Sequence, residues 1–413
     1  MRIAIISEYF HPDNSGGVPT DLSELACYLK QNYADIEIDV LTSQNLYRPS
    51  GVIGKLLANE DWHGVKIRRF RTPKSNRPSM ALRLLAGGVF SVSALFYLIS
   101  HRSYDVLLIV TSPPTNAMAA WVYAKLEGVP YVYCVNDLYP DIAVALGRLN
   151  SASFVFRLSR WLQKLCLNAA ARTVVVGRCM RQHIHSHYGV PLPRIAVIRN
   201  WADPVQIYPT PRENSFRQAN NLSGFVVLYG GNFSRYVDFD QVLGAARLLI
   251  QNHDISFVLI GDGVMKSEIL ARVEKEGLKN VRVMESVARS AMSAVLGAAD
   301  ACLISLVPQM MGLGSPGKLY SIMAAGRQVV AMVAEGSEVA QILAEEACGF
   351  NVPDGIASAL VSALQRLRED PALARGMGQR ARSALERRFT LAQAATEFFS
   401  VFKEVTMKQR SCD

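Results

Sequence analysis

Short apolar runs rich in β-branched residues alternate along the chain with longer stretches of helical period. Stretches 21–30, 116–126 and 154–169 show the helical spacing in the first half. Strands that alternate with helices are typical of βαβ units, so the pattern predicts a mostly parallel sheet. The strand-like runs of this half are 3–6, 36–41, 65–70, 106–110, 131–135, 173–176 and 195–198.

The alternation stops between about residues 203 and 221, where three prolines and the polar run RENSFRQANN predict a linker. A second α/β series follows, so we expect two Rossmann-like, doubly wound domains facing a central cleft. The predicted boundaries are 1–203, a linker 204–221, 222–388, and a C-terminal helix 389–406 packing back on the first domain. The second series has strand-like runs 225–229, 255–260, 281–284, 301–304 and 329–333 and helical stretches 356–369, 371–388 and 390–403.

One stretch, LLAGGVFSVSALFYLIS at 84–100, is 17 uncharged residues long. A helix that spans a bilayer needs about 20 apolar residues, with a lower limit near 17. Three interpretations stand: a membrane span, a helix packed on a sheet, and a packed helix that also touches the bilayer. The adjacent glycines inside the stretch favour packing within the domain.

The formal net charge of +9 is unevenly distributed. Residues 1–205 carry 22 basic and 14 acidic side chains, and residues 148–199 carry nine basic ones and no acidic one. Such a field attracts phospholipid headgroups, lipid diphosphates or nucleic acid. The chain has no nucleic-acid-binding motif, so we expect no nucleic-acid partner. Phe154, Phe156 and Trp161 have helical spacing, which predicts core positions beside a solvated or lipid-facing basic surface.

Composition and cysteine usage indicate a folded protein of a reducing compartment. Hydrophobic residues make up 50% of the chain, and its seven cysteines include no CxxC pair. The N-terminus enters a strand without a signal-peptide pattern, which predicts a cytoplasmic location. His183, His185 and His187 alternate, but no acid or cysteine lies beside them in the sequence. A solvated surface is therefore favoured over a metal site, and no metal is predicted.

Two loops of the first half could carry chemistry. Gly16 and Gly17 follow the first strand and precede a helix, so their backbone can approach a ligand. An ordinary glycine turn is the alternative. Asn136 and Asp137 follow a buried strand, where polar side chains reach the ligand-binding edge of a parallel sheet. An Asx-type turn, in which Asp137 caps backbone, is the alternative.

Two loops of the second half combine glycines with a cation. Gly230-Gly231-Asn232 end a strand and Arg235 follows, an arrangement that can hold a phosphate. Ser315-Pro316-Gly317-Lys318 open a helix. Lysine is disfavoured at helix N-termini because the helix dipole opposes it, so Lys318 favours an anion that both groups bind. The alternative is a solvated lysine after a loop.

The motifs in their order resemble those of retaining glycosyltransferases of family 4, and most closely the branch found in colanic-acid, capsule and exopolysaccharide clusters. The resemblance covers nearly the whole chain. It rests on the segments SEYFHPDNSGG, VNDLYPDIAVALG, VVVGRCMRQHI, IRNWADP, LYGGNFS, LIGDGVMKSEI, AADACLISL and GSPGKLYSIMAAGRQVVA.

The resemblance implies a GT-B fold, with the acceptor on the first domain and a nucleotide-sugar on the second. It implies a hexosyltransferase that moves a sugar to a saccharide or lipid-linked acceptor with retention, and it favours UDP over GDP as the carrier of that sugar. The catalytic residues it implies are Asn136, Asp137 and Lys318. The donor-binding residues it implies are Gly16, Gly17, Asn232, Arg235, Gly261, Asp262, Gly263, Ser315, Gly317 and Lys318.

The leaving group of such a reaction is a nucleoside diphosphate, whose charge Lys318 and Arg235 would stabilise. The resemblance therefore implies no cofactor and no obligatory metal. No carboxylate is identifiable as a nucleophile, which favours front-face transfer. The basic first half and the apolar 84–100 stretch place the enzyme peripherally on the inner face of the plasma membrane, against anionic lipids.

The sequence departs from the family pattern at five positions. Asn136 stands where many members have a histidine, so no histidine-type role is assigned to it. Asn232 and Val237 stand where most members have arginine and lysine, and Leu313 and Ser321 stand where most have glutamates. Because those glutamates usually hold the sugar and the ribose, donor identity stays open. A non-catalytic nucleotide-sugar-binding subunit of a polysaccharide pathway is the alternative function.

Overall fold

The computed structural model describes residues 1–13, 17–46, 56–73, 80–101 and 103–410. The chain forms two compact units. Unit 1 comprises Met1–Arg199, Gly312–Gly314 and the segment from Leu391 onward, and unit 2 comprises Asn200–Met311 and Ser315–Thr390. The sequence analysis placed the boundary at residues 203/204 and assigned the whole 222–388 segment to the second domain.

Unit 1 is built on a sheet whose strands are β1 (Arg2–Ile6), β2 (Glu37–Ser43), β3 (Asn59–Trp62), β4 (Val65–Phe70), β5 (Val106–Val110), β6 (Tyr131–Val135), β7 (Arg172–Val175) and β8 (Ile195–Val197). Their order is β3-β4-β2-β1-β5-β6-β7-β8. Every pair is parallel except β3 with β4. The central strands β1, β5 and β6 are almost wholly apolar and buried on both faces, as expected of a parallel sheet covered by helices.

The helices of unit 1 are α1 (Val18–Asn32), α2 (Met80–Ser100), α3 (Asn116–Glu127), α4 (Asp141–Ala145), α5 (Phe154–Ala169), α6 (Arg178–Tyr188) and the C-terminal α15 (Leu391–Arg410). Helix α15 packs on α1, where the rings of Tyr33 and Phe399 have centroids 4.0 Å apart. Gln409 Nε2 donates to the carbonyl of Gly128 at 2.8 Å. These contacts attach the C-terminal helix to unit 1.

The apolar 84–100 stretch lies within α2. A Cβ on Gly87 would approach Pro113 Cβ to 2.8 Å, and Ser91 Oγ lies 2.7 Å from Thr115 Oγ1, so α2 packs closely against the start of α3. The window Leu82–Ser100 is long and apolar enough to cross a membrane by length and composition, and 33% of it is buried in unit 1. Helix α2 therefore packs within the domain, while part of its apolar surface stays exposed.

Unit 2 contains a parallel sheet of order β11-β10-β9-β12-β13-β14. Its strands are β9 (Phe225–Gly230), β10 (Ile255–Ile260), β11 (Val281–Met284), β12 (Ala301–Ser305), β13 (Val329–Met332) and β14 (Gly349–Val352). Its helices are α7 (Ser215–Ala219), α8 (Phe239–Leu248), α9 (Lys266–Lys275), α10 (Met292–Gly297), α11 (Lys318–Ala324), α12 (Glu338–Glu346), α13 (Ala357–Glu369) and α14 (Pro371–Arg388).

An aromatic cluster forms the core of unit 2 beneath the end of β9. The ring centroids of Tyr229, Phe233 and Phe239 lie 5.2 to 5.9 Å apart, and all three side chains are buried. Close-packed aromatic rings leave few alternative rotamers, so this cluster gives the loop after β9 a rigid base.

The predicted doubly wound α/β fold is confirmed in both units, and each predicted strand occurs within one or two residues of its expected ends. Two further strands lie outside the predicted strand-like runs. The polar β3 is the edge strand of a hairpin whose turn, His63-Gly64, has positive φ angles of 53° and 81°. The four-residue β14 (GFNV) is too short and too mixed in polarity to show a strand period.

Strand order reverses at one point in each sheet, between β1 and β5 in unit 1 and between β9 and β12 in unit 2. At such a point the following helices leave on opposite faces and open a crevice at the carboxyl ends of the strands. The loops after β1, β5, β9 and β12 are therefore where ligands are expected.

Candidate functional site

Lys318 lies at the switch point of unit 2, as the first residue of α11. Its Nζ is 3.8 Å from the centroid of the Tyr229 ring at the end of β9. A Cβ on Gly231 would lie 2.9 Å from the same nitrogen. The absence of a side chain on Gly231 therefore leaves the space in which the ammonium group rests.

The surroundings of Lys318 destabilise its charge. Desolvation by the surrounding protein lowers the pKa of this amine to about 7. The face of Tyr229 attracts a cation but replaces only part of the lost hydration. An anion bound at this point would favour the protonated form of Lys318.

The loops after β9 and β10 interlock through glycines. A Cβ on Gly261 would lie 1.9 Å from the carbonyl oxygen of Gly231, and a Cβ on Gly263 would lie 2.5 Å from Asn232 Oδ1. The φ angles of Gly231, Gly261 and Gly263 are 141°, 155° and 152°, which other residues rarely adopt. The Phe233 N–H donates to the Asp262 carbonyl at 2.8 Å. Only glycine permits this approach of the two loops.

The structure thus brings Gly231, Asn232, Gly261, Gly263 and Lys318 together. The Asn232 carbonyl accepts a hydrogen bond from Tyr229 Oη at 2.9 Å, and Asp262 Oδ1 accepts one from the N–H of Gly263 at 2.8 Å.

The remaining predicted residues of unit 2 are partly or fully accessible. Ser315 and Gly317 are half-buried immediately before α11. Arg235 is exposed, and its guanidinium makes no hydrogen bond or ion pair with any residue that the structure describes. It is a solvated cation beyond the interlocked loops.

Two of the family departures are apolar and buried. Val237 and Leu313 are 6% and 4% exposed, while Ser321 is half-buried on α11. A buried valine or leucine offers no hydrogen bond to a sugar or a ribose, so these positions cannot act as the family's cation and carboxylate do.

Asn136 and Asp137 follow β6 in unit 1. The Asp137 N–H donates to Thr111 Oγ1 at 3.4 Å, and the Leu138 N–H donates to the Leu313 carbonyl at 2.9 Å, which holds this loop against Gly312–Gly314. The Asp137 carboxyl group reaches solvent, and desolvation by surrounding protein raises its pKa to about 6. It caps no backbone group of the described chain, so the Asx-turn alternative is not seen.

Gly17 is the N-cap of α1, with a φ of 71° and open space where a Cβ would be. Its backbone conformation, rather than close packing, favours glycine there. Gly16 lies outside the described residues.

Glu8, at the switch point of unit 1, was missed in the sequence. Its N–H donates to the Ser112 carbonyl at 3.0 Å and its carbonyl accepts from the Ser43 N–H at 3.1 Å, so both neighbouring strands hold it. The side chain is 5% exposed, and its Oε1 has no hydrogen-bond partner among the described residues. Burial raises the pKa of Glu8 to about 7, although Tyr9 and Arg83 act in the opposite direction. A carboxylate two residues after the end of β1 was the available signal.

Glu8→Gln should remove a pH-dependent cost to stability. Because the pKa of Glu8 is about 7 when folded and 4.5 when unfolded, the native protein binds the extra proton between these values. The contribution of Glu8 to the free energy of unfolding is thus fully present below about pH 4.5. It is lost as pH rises to 7, by on the order of 3 kcal/mol. Thermal unfolding at pH 5 and pH 8 should show a smaller loss in Glu8→Gln. Equal losses in both proteins would refute the assignment.

The structure corrects the interpretation of the histidines. Asp141, 42 residues away in sequence, lies 3.4 Å from His183 Nε2 and also accepts a hydrogen bond from Tyr188 Oη. Burial alone would raise the pKa of Asp141, but these hydrogen bonds hold it below its usual value. His183 therefore has an acidic partner. The described residues contain no group of three or more His, Cys, Asp or Glu side chains placed to hold a metal ion.

The structure also corrects the assignment of two aromatics to the core. Phe156 is buried, whereas Phe154 and Trp161 are 77% and 59% exposed on α5. The helical spacing is real, but the strip it forms faces outward.

Comparison with known proteins accounts for both units. Residues 16–201 match the family described as "Glycosyl transferase 4-like domain", and residues 224–370 match "Glycosyl transferases group 1". The chain is a glycosyltransferase with the GT-B fold. The two models leave only the linker region and the termini of this glycosyltransferase unmatched.

Relatives and solved structures agree with this assignment. The glycosyltransferase is 28% identical to the probable glycosyltransferase WbjE of Pseudomonas aeruginosa over 304 residues. The aligned region covers 73% of this chain and 75% of WbjE. It is 24% identical to the putative colanic acid biosynthesis glycosyl transferase WcaI of Escherichia coli (strain K12), covering 64% and 67%.

Two solved structures share the fold of the glycosyltransferase. Sucrose-phosphate synthase of Thermosynechococcus elongatus superposes with a TM-score of 0.79 at 18% identity, covering 98% of this chain and 99% of that one. Anabaena Alr3699/HepE in complex with UDP superposes with a TM-score of 0.71 at 16% identity, covering 98% and 100%.

Proposed function

We propose that this glycosyltransferase moves a hexosyl group from a UDP-sugar to a saccharide or lipid-linked acceptor in surface polysaccharide or glycolipid synthesis. The observation that carries the proposal is the desolvated Lys318 between Tyr229 and Gly231 at the switch point of unit 2. The UDP complex of HepE supports a uridine donor, and the name of WcaI supports a polysaccharide pathway.

Unit 2 would hold the donor. The ammonium group of Lys318 would bind the diphosphate and stabilise the charge that develops as the glycosidic bond to it breaks. Asn232 and the loops at Gly231 and Gly261–Gly263 would line the same site, with Ser315 and Gly317 beside Lys318. Because Lys318, once protonated, supplies a positive charge to the bound diphosphate, the proposal needs no obligatory metal or cofactor. Arg235 would add charge from the solvent side.

Unit 1 would hold the acceptor at the ends of β1 and β6. Asn136 and Asp137 are accessible there, and Asp137 has a pKa of about 6. A carboxylate of that pKa is ionised at neutral pH and can accept a hydrogen bond from an acceptor hydroxyl. Gly17 would let the chain approach bound ligand at the start of α1. We propose retention by front-face transfer, on the resemblance to family 4.

Binding of the donor should take up a proton on Lys318. The pKa of the free amine is about 7 and a bound diphosphate raises it, so affinity should be highest below pH 7 and fall above it. UDP-glucose is a suitable probe because its diphosphate does not titrate near neutrality. Calorimetry between pH 6 and 9 should show roughly a fivefold loss of affinity between pH 7 and 8, and a loss approaching tenfold over the next unit while the bound amine stays protonated. In Lys318→Ala the profile should be flat; a sloping profile there would assign the proton to another group.

A panel of UDP-, GDP-, ADP- and TDP-sugars tests the donor. Slow release of UDP from one UDP-sugar, and of little nucleotide from the others, is the expected result. Release from another nucleotide class would replace the uridine proposal. If no nucleotide-sugar binds at millimolar concentration, the donor site itself is wrong.

We also propose that the enzyme acts in the cytoplasm, peripherally on the inner face of the plasma membrane. The net charge of the first 205 residues, 22 basic against 14 acidic, supports contact with anionic lipids. A lipid-linked acceptor would be available at that surface.

A further inference from the structure

Helix α5 has three distinct faces. Phe156, Gln163, Cys166 and Leu167 face the interior of unit 1. At about 100° per residue, the exposed apolar residues fall on a second strip and the cations on a third. The exposed apolar residues are Phe154 (77%), Val155 (60%), Leu158 (42%) and Trp161 (59%). The cations of α5 are Arg157, Arg160 and Lys164.

Helix α2 carries a second exposed apolar strip. Leu84, Leu85, Val92 and Phe96 are between 52% and 67% exposed on it. Helix α3 packs on both α2 and α5, through Thr115 to Ser91 and through Met118 to Cys166. The three helices therefore form one layer of unit 1, with exposed apolar side chains at α2, at Leu126 of α3 and at α5.

The charge beside this layer is predominantly positive. Residues 148–199 contain nine basic residues and no acidic one, and Arg148, Arg157 and Lys164 are exposed. Two carboxylates that approach this region are already engaged. Asp141 interacts with His183 and accepts a hydrogen bond from Tyr188. Glu404 forms ion pairs with Arg172 and Lys408.

We propose that the exposed strips of α5 and α2 form a docking surface for an anionic phospholipid bilayer, with Phe154, Leu158 and Trp161 inserted among the lipids and the α5 cations at the headgroups. This deepens the proposed membrane location, on which it rests, by naming the surface. An amphipathic helix with tryptophan and phenylalanine beside basic residues lies in the plane of the interface in this way.

Charge complementarity indicates which partner would bind this docking surface. A second copy of the chain would bring its own cations against the same cations, which opposes self-association through this face. Nucleic acid would use the cations and could stack on the aromatic rings, but it would leave the aliphatic side chains of both strips in water. A bilayer containing phosphatidylglycerol satisfies both features, since its headgroups are anionic and its interior apolar.

Co-sedimentation with vesicles of 70% phosphatidylcholine and 30% phosphatidylglycerol tests the apolar strip. The double variant Phe154→Ser/Trp161→Ser should lower the partition coefficient at least tenfold. A matched control, Val264→Ser/Ile356→Ser, removes two exposed apolar side chains from unit 2 and should leave it unchanged. An equal decrease of the partition coefficient in both double variants, or no decrease in either, would contradict the proposed docking surface.

Charge reversal tests the cationic strip. Arg157→Glu/Lys164→Glu should lower binding at least tenfold at 50 mM salt, and Lys275→Glu/Lys279→Glu in unit 2 should lower it far less. Wild type should bind vesicles of phosphatidylcholine alone much more weakly. Equal binding to neutral and anionic vesicles would overturn the choice of an anionic bilayer.

Fluorescence separates insertion from a structural role of the helix. The emission of wild type should shift to shorter wavelength on anionic vesicles, and Trp161→Phe should lose most of that shift while still binding. A monomer–dimer change on gel filtration that Trp161→Ser abolishes, without vesicle binding by wild type, would replace the bilayer by a second copy.

UDP-sugar turnover in solution distinguishes failure of this inference from failure of the proposed function. The α5 variants should release nucleotide at the wild-type rate without vesicles. Loss of turnover in them would show that unit 1 is misfolded, and the comparison would then be made with Leu158→Asn, which keeps both aromatics.

Discussion

Lys318→Ala should lower the rate of nucleotide release from the preferred nucleotide-sugar by about 10²–10³, which corresponds to roughly 3–4 kcal/mol of transition-state stabilisation. The ammonium group lies in a desolvated position against Tyr229, so no water-exposed cation replaces its interaction with the leaving diphosphate. Single-turnover release of UDP measures the effect.

Two control variants separate the effect of positive charge from the effect of side-chain size at this position. The exposed Lys275 carries the same charge on α9, and Lys275→Ala should leave the rate unchanged. Lys318→Arg keeps a positive charge, but the larger guanidinium does not fit the space above Gly231, so its rate should lie between the other two. A Lys318→Ala rate within threefold of wild type would remove the diphosphate role of this residue.

Gly261→Ala should abolish donor binding and lower the stability of the protein by about 3 kcal/mol or more. The new Cβ would lie 1.9 Å from the Gly231 carbonyl oxygen, a backbone atom, at a φ of 155° that alanine rarely adopts. Relief of the clash requires the loops after β9 and β10 to separate. That separation would disrupt the space in which the Lys318 ammonium group lies. The affinity for the donor and the free energy of unfolding should therefore fall together.

Gly230→Ala is the matched control for this prediction. It is the last residue of β9, next to Gly231, but a Cβ there has nothing within 4 Å and its φ is not positive. Thermal unfolding and UDP-glucose calorimetry should both match wild type. Similar effects of the two substitutions would mean that the glycine contacts do not determine the shape of the site.

The fold was predictable because its strands are buried on both faces. Runs such as Val106–Val110 and Tyr131–Val135 are uniformly apolar and separated by helical stretches, so their positions follow from composition and period. Edge strands could not be predicted in this way. Strand β3, with sequence NEDW, is held by pairing with β4 and has no apolar period of its own.

The candidate site was predictable only in part. Loops with glycines and a cation identified Gly231, Gly261, Gly263 and Lys318, because backbone approach and charge leave a signal in residue type. Glu8 left the same kind of signal, a polar residue at a strand end, and was overlooked. The distance between Asp141 and His183 left none, since residues 42 positions apart meet only through the fold.

Burial was the property that sequence spacing predicted least well. Phe154, Phe156 and Trp161 share one helix, yet only Phe156 faces the sheet. A helical period shows that apolar residues share faces; it does not show which face is covered. That depends on how α3 and α5 pack, which is a tertiary property.

The sequence by itself determined the two α/β units, their parallel sheets and the glycine-rich loops that contain the candidate site and Lys318, because alternation of period and special residue types are local. The tertiary structure alone decided the lowered pKa of Lys318 above Tyr229, the interlocking of Gly231 with Gly261 and the outward aromatic strip of α5. It also decided the burial of Glu8, whose Oε1 has no hydrogen-bond partner in the part of the chain that the structure describes. Desolvation, close approach and exposure depend on residues distant in the chain, which no local pattern records.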